Sequence, residues 1–292
     1  MNIVVCVKQV PDTNVPLEPD PRTKSVKSDD VVWVVNPYDL LAVEAAVRLK
    51  ETHGGEVTLL SLGQPEAKMA LKSCLALGAD KAFLLFDPAF NDSDSYAAGV
   101  TLSRAISAIP HDLVLCGAQS SDTNAGLAGA VIAENLGLPL VSGVTHIEAS
   151  PESKRLIVHR KLERGNREVI ETVLPAVLTI ESGINEPRYA SLPSLMAGLR
   201  KEIEVQDMKK LGLALGEVGA KGCKTKVLTI APPRPRPKRL FTPDSSLSAA
   251  ERMRLVMSGG LAEKSGDVLQ GNPKEVAAKI IQFLKKEKIV EG

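Results

Sequence analysis

An α/β fold, a doubly wound and mostly parallel sheet carrying a C-terminal arm, is what this sequence predicts. Three observations carry the prediction. From Met1 to about Leu140, short apolar runs alternate with segments of helical period, which argues for a parallel sheet covered on both faces. Aromatic residues make up 3% of the chain, so the core has to be built from Val, Leu, Ile and Ala, the composition of doubly buried strands. Beyond about Leu213 the pattern thins into proline-rich and polar sequence, which reads as an arm rather than a second core.

The elements follow in order. Residues 3–7 form a short buried strand, and residues 56–62, 81–86 and 113–116 form three more. Helical stretches at 37–52, 66–77, 93–108 and 125–135 separate them. Residues 11–35 interrupt the alternation: a turn at Asp20-Pro21-Arg22-Thr23 and an apolar run at 31–35 predict a hairpin-like insertion. The helix at Pro37 has the clearest start, with Asn36 as N-cap bonding the first-turn amides, Pro37 at the first position and Asp39 near the positive end of the macrodipole. Leu40, Val43 and Val47 share an apolar face, and Glu44 with Arg48 makes an i,i+4 pair. From Val141 the pattern turns to strands, at 155–160, 168–173 and 176–180, with Gly165-Asn166 as a turn. An irregular stretch, 181–192, leads into a short helix ending near Arg200. A proline-rich linker follows at 231–237 and a helical patch at 249–257. The last helix has Asn272 as N-cap, Pro273 first, Glu275 reaching back, and Val276, Ile280, Ile281 and Leu284 on one face that needs a partner surface.

Composition excludes several classes of function. The net charge of +1 creates no global field toward nucleic acid or an anionic membrane, and the basic run Arg234, Arg236, Lys238 and Arg239 alternates with prolines as an extended arm would. Cys6, Cys74, Cys116 and Cys223 form no CxxC pair and read as free thiols in a reducing compartment, not as a zinc site or disulfide framework. No secretory signal opens the sequence and no run approaches the about 20 apolar residues of a membrane span, so a soluble cytoplasmic protein is expected. His53, His111, His146 and His159 sit in different elements, His159 as a surface strand pair; Glu148 and Glu152 have no acid–base partner, and neither GxSxG nor HExxH occurs. GxGxxG after the first strand and GxxxxGK[ST] are both absent, and Ser258-Gly259-Gly260 follows a helix rather than a strand. The pattern suits a binding protein better than an enzyme.

In a doubly wound sheet, ligands bind beyond the carboxyl ends of the strands where the strand order reverses. Four loops leave such ends here: 7–10, 36–39, 62–65 and 117–126. The last is long and made of small polar residues before a helix, so a phosphate can approach its amides and the helix terminus, with Ser120, Ser121, Thr123 and Asn124 as further donors. The same composition suits an ordinary turn, and the loop alone does not decide between the two.

A family resemblance narrows the reading. Leu174-Pro175-Ala176-Val177, then Asn185-Glu186-Pro187-Arg188-Tyr189-Ala190, then Leu192-Pro193 with Met196, resemble in content and order the motif of electron-transfer flavoprotein beta subunits. Val5-Cys6-Val7-Lys8-Gln9-Val10-Pro11-Asp12, Val35-Asn36-Pro37-Tyr38-Asp39 with the helix after it, and Leu75-Ala76-Leu77-Gly78-Ala79-Asp80 are similar to further family segments. The likeness covers roughly residues 1–213.

The resemblance implies an adenine-nucleotide-hydrolase-like, Rossmann-like fold in residues 1–213 and an arm, 214–292, packing on an alpha subunit that holds most of a redox-active FAD. This subunit would bind AMP, or a second FAD as in electron-bifurcating members. Carried over by position, the nucleotide site is Cys6, Val7, Lys8 and Gln9; Asn36, Pro37, Tyr38 and Asp39; Leu62 and Gly63; and Gln119, Ser120, Ser121, Asp122, Thr123, Asn124, Ala125, Gly126, Leu127, Ala128 and Gly129. The family's polar run before the final glycine is replaced here by Gly126-Leu127-Ala128, which shifts the work to backbone amides. Residues 189–200 match the family's recognition loop, with Leu192 as the anchor for an acyl-CoA dehydrogenase or similar flavin dehydrogenase and Tyr189, Pro193, Met196 and Arg200 around it. Residues 11–13 would line the flavin side, and electrons would leave for a quinone-linked oxidoreductase or another acceptor. The rival classes are an ATP-hydrolysing enzyme and a stand-alone nucleotide sensor.

Overall fold

The computed structural model describes residues 1–15, 19–20, 25–26, 31–229, 243–257 and 271–286. The turn at 20–23, the linker at 231–237, the basic run at 234–239 and the glycine pair at 259–260 lie wholly or partly outside these residues.

Strand β1 (Ile3–Cys6) opens the chain, followed by β2 (Gln9–Pro11), β3 (Pro19–Asp20), β4 (Ser25–Val26) and β5 (Trp33–Val35). The antiparallel pairs β2–β5 and β3–β4 are the expected hairpin-like insertion. Then come α1 (Pro37–His53), β6 (Val57–Leu62), α2 (Lys68–Ala76), β7 (Lys81–Leu85), α3 (Ser95–Ser107), β8 (Leu113–Gly117) and α4 (Ala128–Leu136). Three antiparallel strands follow, β9 (Leu140–Ser150), β10 (Arg155–Lys161) and β11 (Arg167–Val173), then β12 (Ala176–Ile180), α5 (Leu192–Arg200), β13 (Glu204–Gln206) and the single turn α6 (Gly219–Gly222). Helices α7 (Ala249–Met257) and α8 (Pro273–Lys286) belong to a separate unit that starts at Pro233.

The main sheet has nine strands in the order β11-β10-β9-β12-β8-β1-β6-β7-β13, and every pairing from β9 to β13 is parallel. The chain runs outward from β1 through β6 to β7, then returns to lay β8 on the other side of β1. The strand order therefore reverses between β1 and β8, and a doubly wound sheet opens its ligand crevice there. Alternation along β1 assigns the faces: Ile3 and Val5 join the core under α1 and α2, while Val4 and Cys6 join the core under α3 and α4. Strands buried on both sides explain the near-continuous Val/Leu/Ile runs.

Three expectations need correction. Asn36 occupies the N-cap of α1, but its side chain makes no cap bond and is used elsewhere. Helix α4 starts at Ala128 rather than at residue 125, because Asn124 and Gly126 have φ of 50° and 59°, outside the helical region. Residues 214–229, expected as the start of the arm, fall within the compact unit Met1–Pro232, where Val218 is buried against the α3–α4 face. In addition, the eleven-residue strand β9 and the short edge strand β13 were not marked as elements by the sequence pattern.

A candidate nucleotide-binding cleft

Beyond the carboxyl ends of β1, β6 and β8 lies a cleft of about 1110 Å³. Its floor is set by two side chains from the start of α1. Asp39 accepts the Lys8 amide at 2.7 Å and the Gly117 amide at 3.1 Å, so one carboxylate ties the ends of β1 and β8 together at the reversal point. Asn36 donates to the Gln119 carbonyl at 2.9 Å and accepts from the Ser121 amide at 3.1 Å, which fixes the loop after β8. Both residues are buried. A Cβ at Gly117 would sit 2.3 Å from the Asp39 carboxylate oxygen, so only glycine allows this bracket to close.

Burial dominates the electrostatics of Asp39. It lifts the carboxyl from 3.8 to about 7, against the opposing hydrogen bonds from Lys8, Asn36 and Gly117. Near it, the Cys6 thiol is raised well above its ordinary range by contact with Cys116 and by burial, and burial pushes Cys74 up to about 12. Cys6, Cys74 and Cys116 are free and buried, as inert core thiols should be, and Cys223 is free and partly buried. At the mouth, Lys8 Nζ lies 2.6 Å from Asp122. Burial raises the Asp122 carboxyl, but hydrogen bonds from Lys8 and Ser120 outweigh it and keep the group below its usual range.

The loop after β8 has the features of an anion-binding turn. Leu127 at the N-cap of α4 makes no side-chain cap bond, which leaves the first-turn amides of α4 to a ligand or solvent. Gly129 lets that turn approach β12, since a Cβ there would come within 2.5 Å of the Thr179 methyl. Small residues, free first-turn amides and a positive helix end beside a deep crevice fit a phosphate, and the apolar side chains Leu60, Leu62 and Phe90 on the lining fit a flat heterocycle.

Among the residues named from the sequence, the cleft is lined by Cys6, Val7, Lys8, Asn36, Asp39, Leu62, Gly63, Gln119, Ser120, Thr123, Ala125, Gly126, Leu127, Ala128 and Gly129. Gln9, Pro37, Tyr38, Ser121, Asp122 and Asn124 stand behind or beside it: the Gln9 side chain bonds the Glu66 carbonyl at 3.4 Å, and the Asn124 amide bonds Ser120 within the loop. The sequence reading missed a second wall, formed by residues 91–95 and 223–227. No nucleotide motif marks those positions, and some 130 residues separate the two segments, as in the bond from Thr225 to Asp94.

The residues expected to dock a partner lie elsewhere. Tyr189 is fully exposed, Leu192 is 72% exposed and Met196 45%, and Pro193 and Arg200 are also exposed. Helix α5 turns its other side to α2, where a Cβ at Gly198 would come within 2.9 Å of the backbone of Lys72 and Ala76. The residues before it are held on α1: Arg188 bonds the buried Glu44 at 2.8 Å and Glu51 at 2.5 Å, and Asn185 bonds the Leu41 carbonyl. His146 and His159 face each other across β9 and β10, their rings 5.0 Å apart, as a surface pair. Among the described residues no helix is long and apolar enough to cross a membrane, and no cluster of three or more ligating side chains is placed to hold a metal.

Comparison with known proteins agrees with this architecture. Residues 23–211 match the electron transfer flavoprotein domain. The chain is 36% identical over 291 residues to an electron transfer flavoprotein subunit beta of Thermoanaerobacterium thermosaccharolyticum, covering 99% of this chain and all of that one. It is 39% identical over 236 residues to the caffeyl-CoA reductase-Etf complex subunit CarD of Acetobacterium woodii, covering 80% of this chain and 88% of the relative. It is 38% identical over 245 residues to the protein FixA of Azotobacter vinelandii, covering 82% and 86%. A domain match over most of the chain and a full-length likeness to a named beta subunit lead to one conclusion: this chain belongs to the electron transfer flavoprotein family, on its beta-subunit side.

Proposed function

We propose that this chain is the nucleotide-binding half of a cytoplasmic, heterodimeric electron carrier and breaks no bonds of its own. An alpha subunit holds the redox-active FAD, which supplies the electron-accepting centre when bound. This chain contributes the wall beside that flavin, a structural adenine nucleotide in the cleft, and the surface that receives an acyl-CoA-type flavin dehydrogenase. Electrons then pass to a quinone-linked or other acceptor. The observation that carries the reading is the placement of the cleft: it opens at the β1–β8 reversal, pinned by Asp39 and Asn36, with residues 125–129 lining it. AMP fits such a site, with its phosphate at the α4 terminus and its adenine against the apolar lining.

A second reading, the AMP half of a second FAD, is favoured by the size of the cleft. About 1110 Å³ lies just above the roughly 300–1,000 Å³ usual for small-molecule sites, more room than one mononucleotide uses. CarD, one of the similar chains, is by name a subunit of a reductase-Etf complex, and a role in such a complex suits the same reading.

Leu192 and Met196 are the proposed anchors for the dehydrogenase. Burying one such side chain contributes roughly 1.5–3 kcal/mol, and a pinned loop loses little entropy on docking. The test is to co-express the chain with its alpha subunit, purify the yellow complex, release nucleotides with acid and weigh them by mass spectrometry. One AMP and one FAD per heterodimer supports the first reading, and two FAD the second. A complex free of adenine compounds in this subunit defeats both. In the same preparation, Leu192→Ala should lower dehydrogenase-dependent reduction about tenfold or more while the flavin content is kept. An unchanged rate removes Leu192 as the anchor.

A further inference from the structure

Two cysteines meet on the floor of the cleft. Cys6 ends β1 and Cys116 lies near the end of β8. The parallel register of Val4 with Val114 and Val5 with Leu115 makes them the next pair along the ladder. Neighbouring strands run roughly 4.7–4.9 Å apart and residues in register share a face. Both side chains accordingly join the α3–α4 side of the sheet. Their sulfurs are in hydrogen-bond contact. Cys6 is 8% exposed and Cys116 4%, and both line the cleft. The pair lies against the first turn of α4, since a Cβ at Gly129 would come 3.9 Å from the Cys116 sulfur. The other two thiols stand apart from it. Cys74 belongs to the core under α1 and α2, on the opposite face. The Cys223 sulfur is engaged by the Asp94 amide and by the Asp92 and Gly219 carbonyls. Among the described residues no third ligating side chain completes a metal cluster here.

Taken singly, these thiols are inert. A thiol attacks as its thiolate, and contact with Cys116, together with burial, holds the Cys6 proton in place. A reagent that engages both sulfurs and carries off both protons escapes that limit. We propose that Cys6 and Cys116 form a dithiol site for trivalent arsenic compounds, and that arsenic held there excludes a nucleotide from the cleft. The step is a condensation on an As=O group. Two S–H bonds break and two As–S bonds form; the oxygen leaves as water with both protons, and arsenic stays trivalent. Trivalent arsenic is pyramidal, so it bridges two sulfurs that already touch on one face. A two-coordinate soft metal ion needs its sulfurs on opposite sides, which side chains in register on neighbouring strands do not offer. The dithiol site stands on its own geometry; only the exclusion rests on the nucleotide reading of the cleft.

The probe is phenylarsine oxide, added to the heterodimer after its nucleotide in this subunit has been stripped, with the intact mass of this subunit as the readout. One phenylarsenic group per chain is expected, removed by dimercaptopropanol and kept in mercaptoethanol. After trypsin the adduct should join the peptide of residues 1–8 to that of residues 105–154, which hold Cys6 and Cys116. Cys6→Ala and Cys116→Ala should each bind the probe about a hundredfold more weakly, because the second As–S bond is intramolecular, whereas Cys74→Ala should bind it as wild type does. The peptide bridge is read on wild type, so the test survives if a core variant folds poorly. AMP at about ten times its dissociation constant should slow adduct formation about tenfold. Absence of an adduct on wild type, or an adduct that bridges other peptides, overturns the dithiol site. An adduct that forms at the same rate with AMP bound overturns the exclusion. Failure of the stripped heterodimer to rebind any adenine nucleotide defeats the nucleotide reading, while the mass of the adduct still decides the dithiol site.

Discussion

Asp39 shows how one side chain can be both scaffold and titrating group. It is buried, tied to the amides of Lys8 and Gly117, and faced by Asn36, Lys8, Cys6 and Cys74. In the unfolded chain an aspartate ionises near pH 3.9, whereas burial moves this one to about 7. Between those values the folded chain binds more protons than the unfolded one, so stability falls as pH rises through the window and levels off above it. Urea unfolding at pH 5 and pH 8 should show wild type losing roughly 1–3 kcal/mol more than Asp39→Asn over that interval. Parallel pH profiles for the two proteins remove Asp39 as the source. What the sequence disclosed at this scale was the position and not the task. Asn-Pro-x-Asp announces a helix start, and Asn36 is indeed at the N-cap, but its amide group reaches across to residues 119 and 121. A propensity argument sees the local bond a residue can make and not the tertiary one that wins.

At the scale of elements, the segment before α5 is fastened through charge. Glu44, 1% exposed, receives Arg48 from its own helix and Arg188 from 144 residues away. Burial raises the Glu44 carboxyl, but the hydrogen bonds from Arg188 and Arg48 more than offset it, and the group stays below its ordinary value. Only the i,i+4 partner was legible in the sequence; the Arg188 half of the motif carries no sign of where it lands. Removing one partner of a buried pair leaves a stranded charge, so Arg188→Ala should destabilise by about 2–4 kcal/mol, with Arg48 limiting the damage. Arg188→Ala combined with Glu44→Gln should recover part of that loss in a double-mutant cycle read by urea denaturation. A single-variant cost below about 0.5 kcal/mol would show the pair to be as weak as an exposed one. The strands of the parallel core were readable because burial on both faces leaves unbroken apolar runs. Strand β9 was not, since Gly143 has φ of 70° and its second half alternates with His146, Glu148 and Ser150 toward solvent. Strand β13 has three residues at a sheet edge, too short for any period to register.

For the molecule as a whole, the sequence identified the sheet and the loops along one wall of the cleft, because each is written in contiguous segments, whereas the reversal between β1 and β8 needs the strand order. The other wall depends on Asp94 meeting residues 224 and 225, a pairing that no local pattern encodes. The arm raises a different issue. Among the described residues, every buried apolar side chain lies between Ile3 and Val218, so the unit Met1–Pro232 has its own complete core. In the remaining unit, α7 buries nothing, and α8 holds Ile280, Ile281 and Phe283 at 44%, 54% and 58% exposure. A helix of 14 residues is marginal in water unless an apolar face is covered. If the arm serves the alpha subunit, a chain ended at residue 232 should fold alone, with a thermal midpoint within about 2–4 °C of the full chain, a difference near 1 kcal/mol for a unit this size. The same truncated chain should co-purify with the alpha subunit in much lower yield, and Ile281→Asp with Phe283→Asp in the full chain should lower that yield without moving the midpoint. Undiminished pairing after truncation would assign the alpha-subunit interface to the α/β unit alone. Collapse of the midpoint would mean instead that the arm completes the fold of this chain, because only contacts within one polypeptide can hold up its stability when no partner is present.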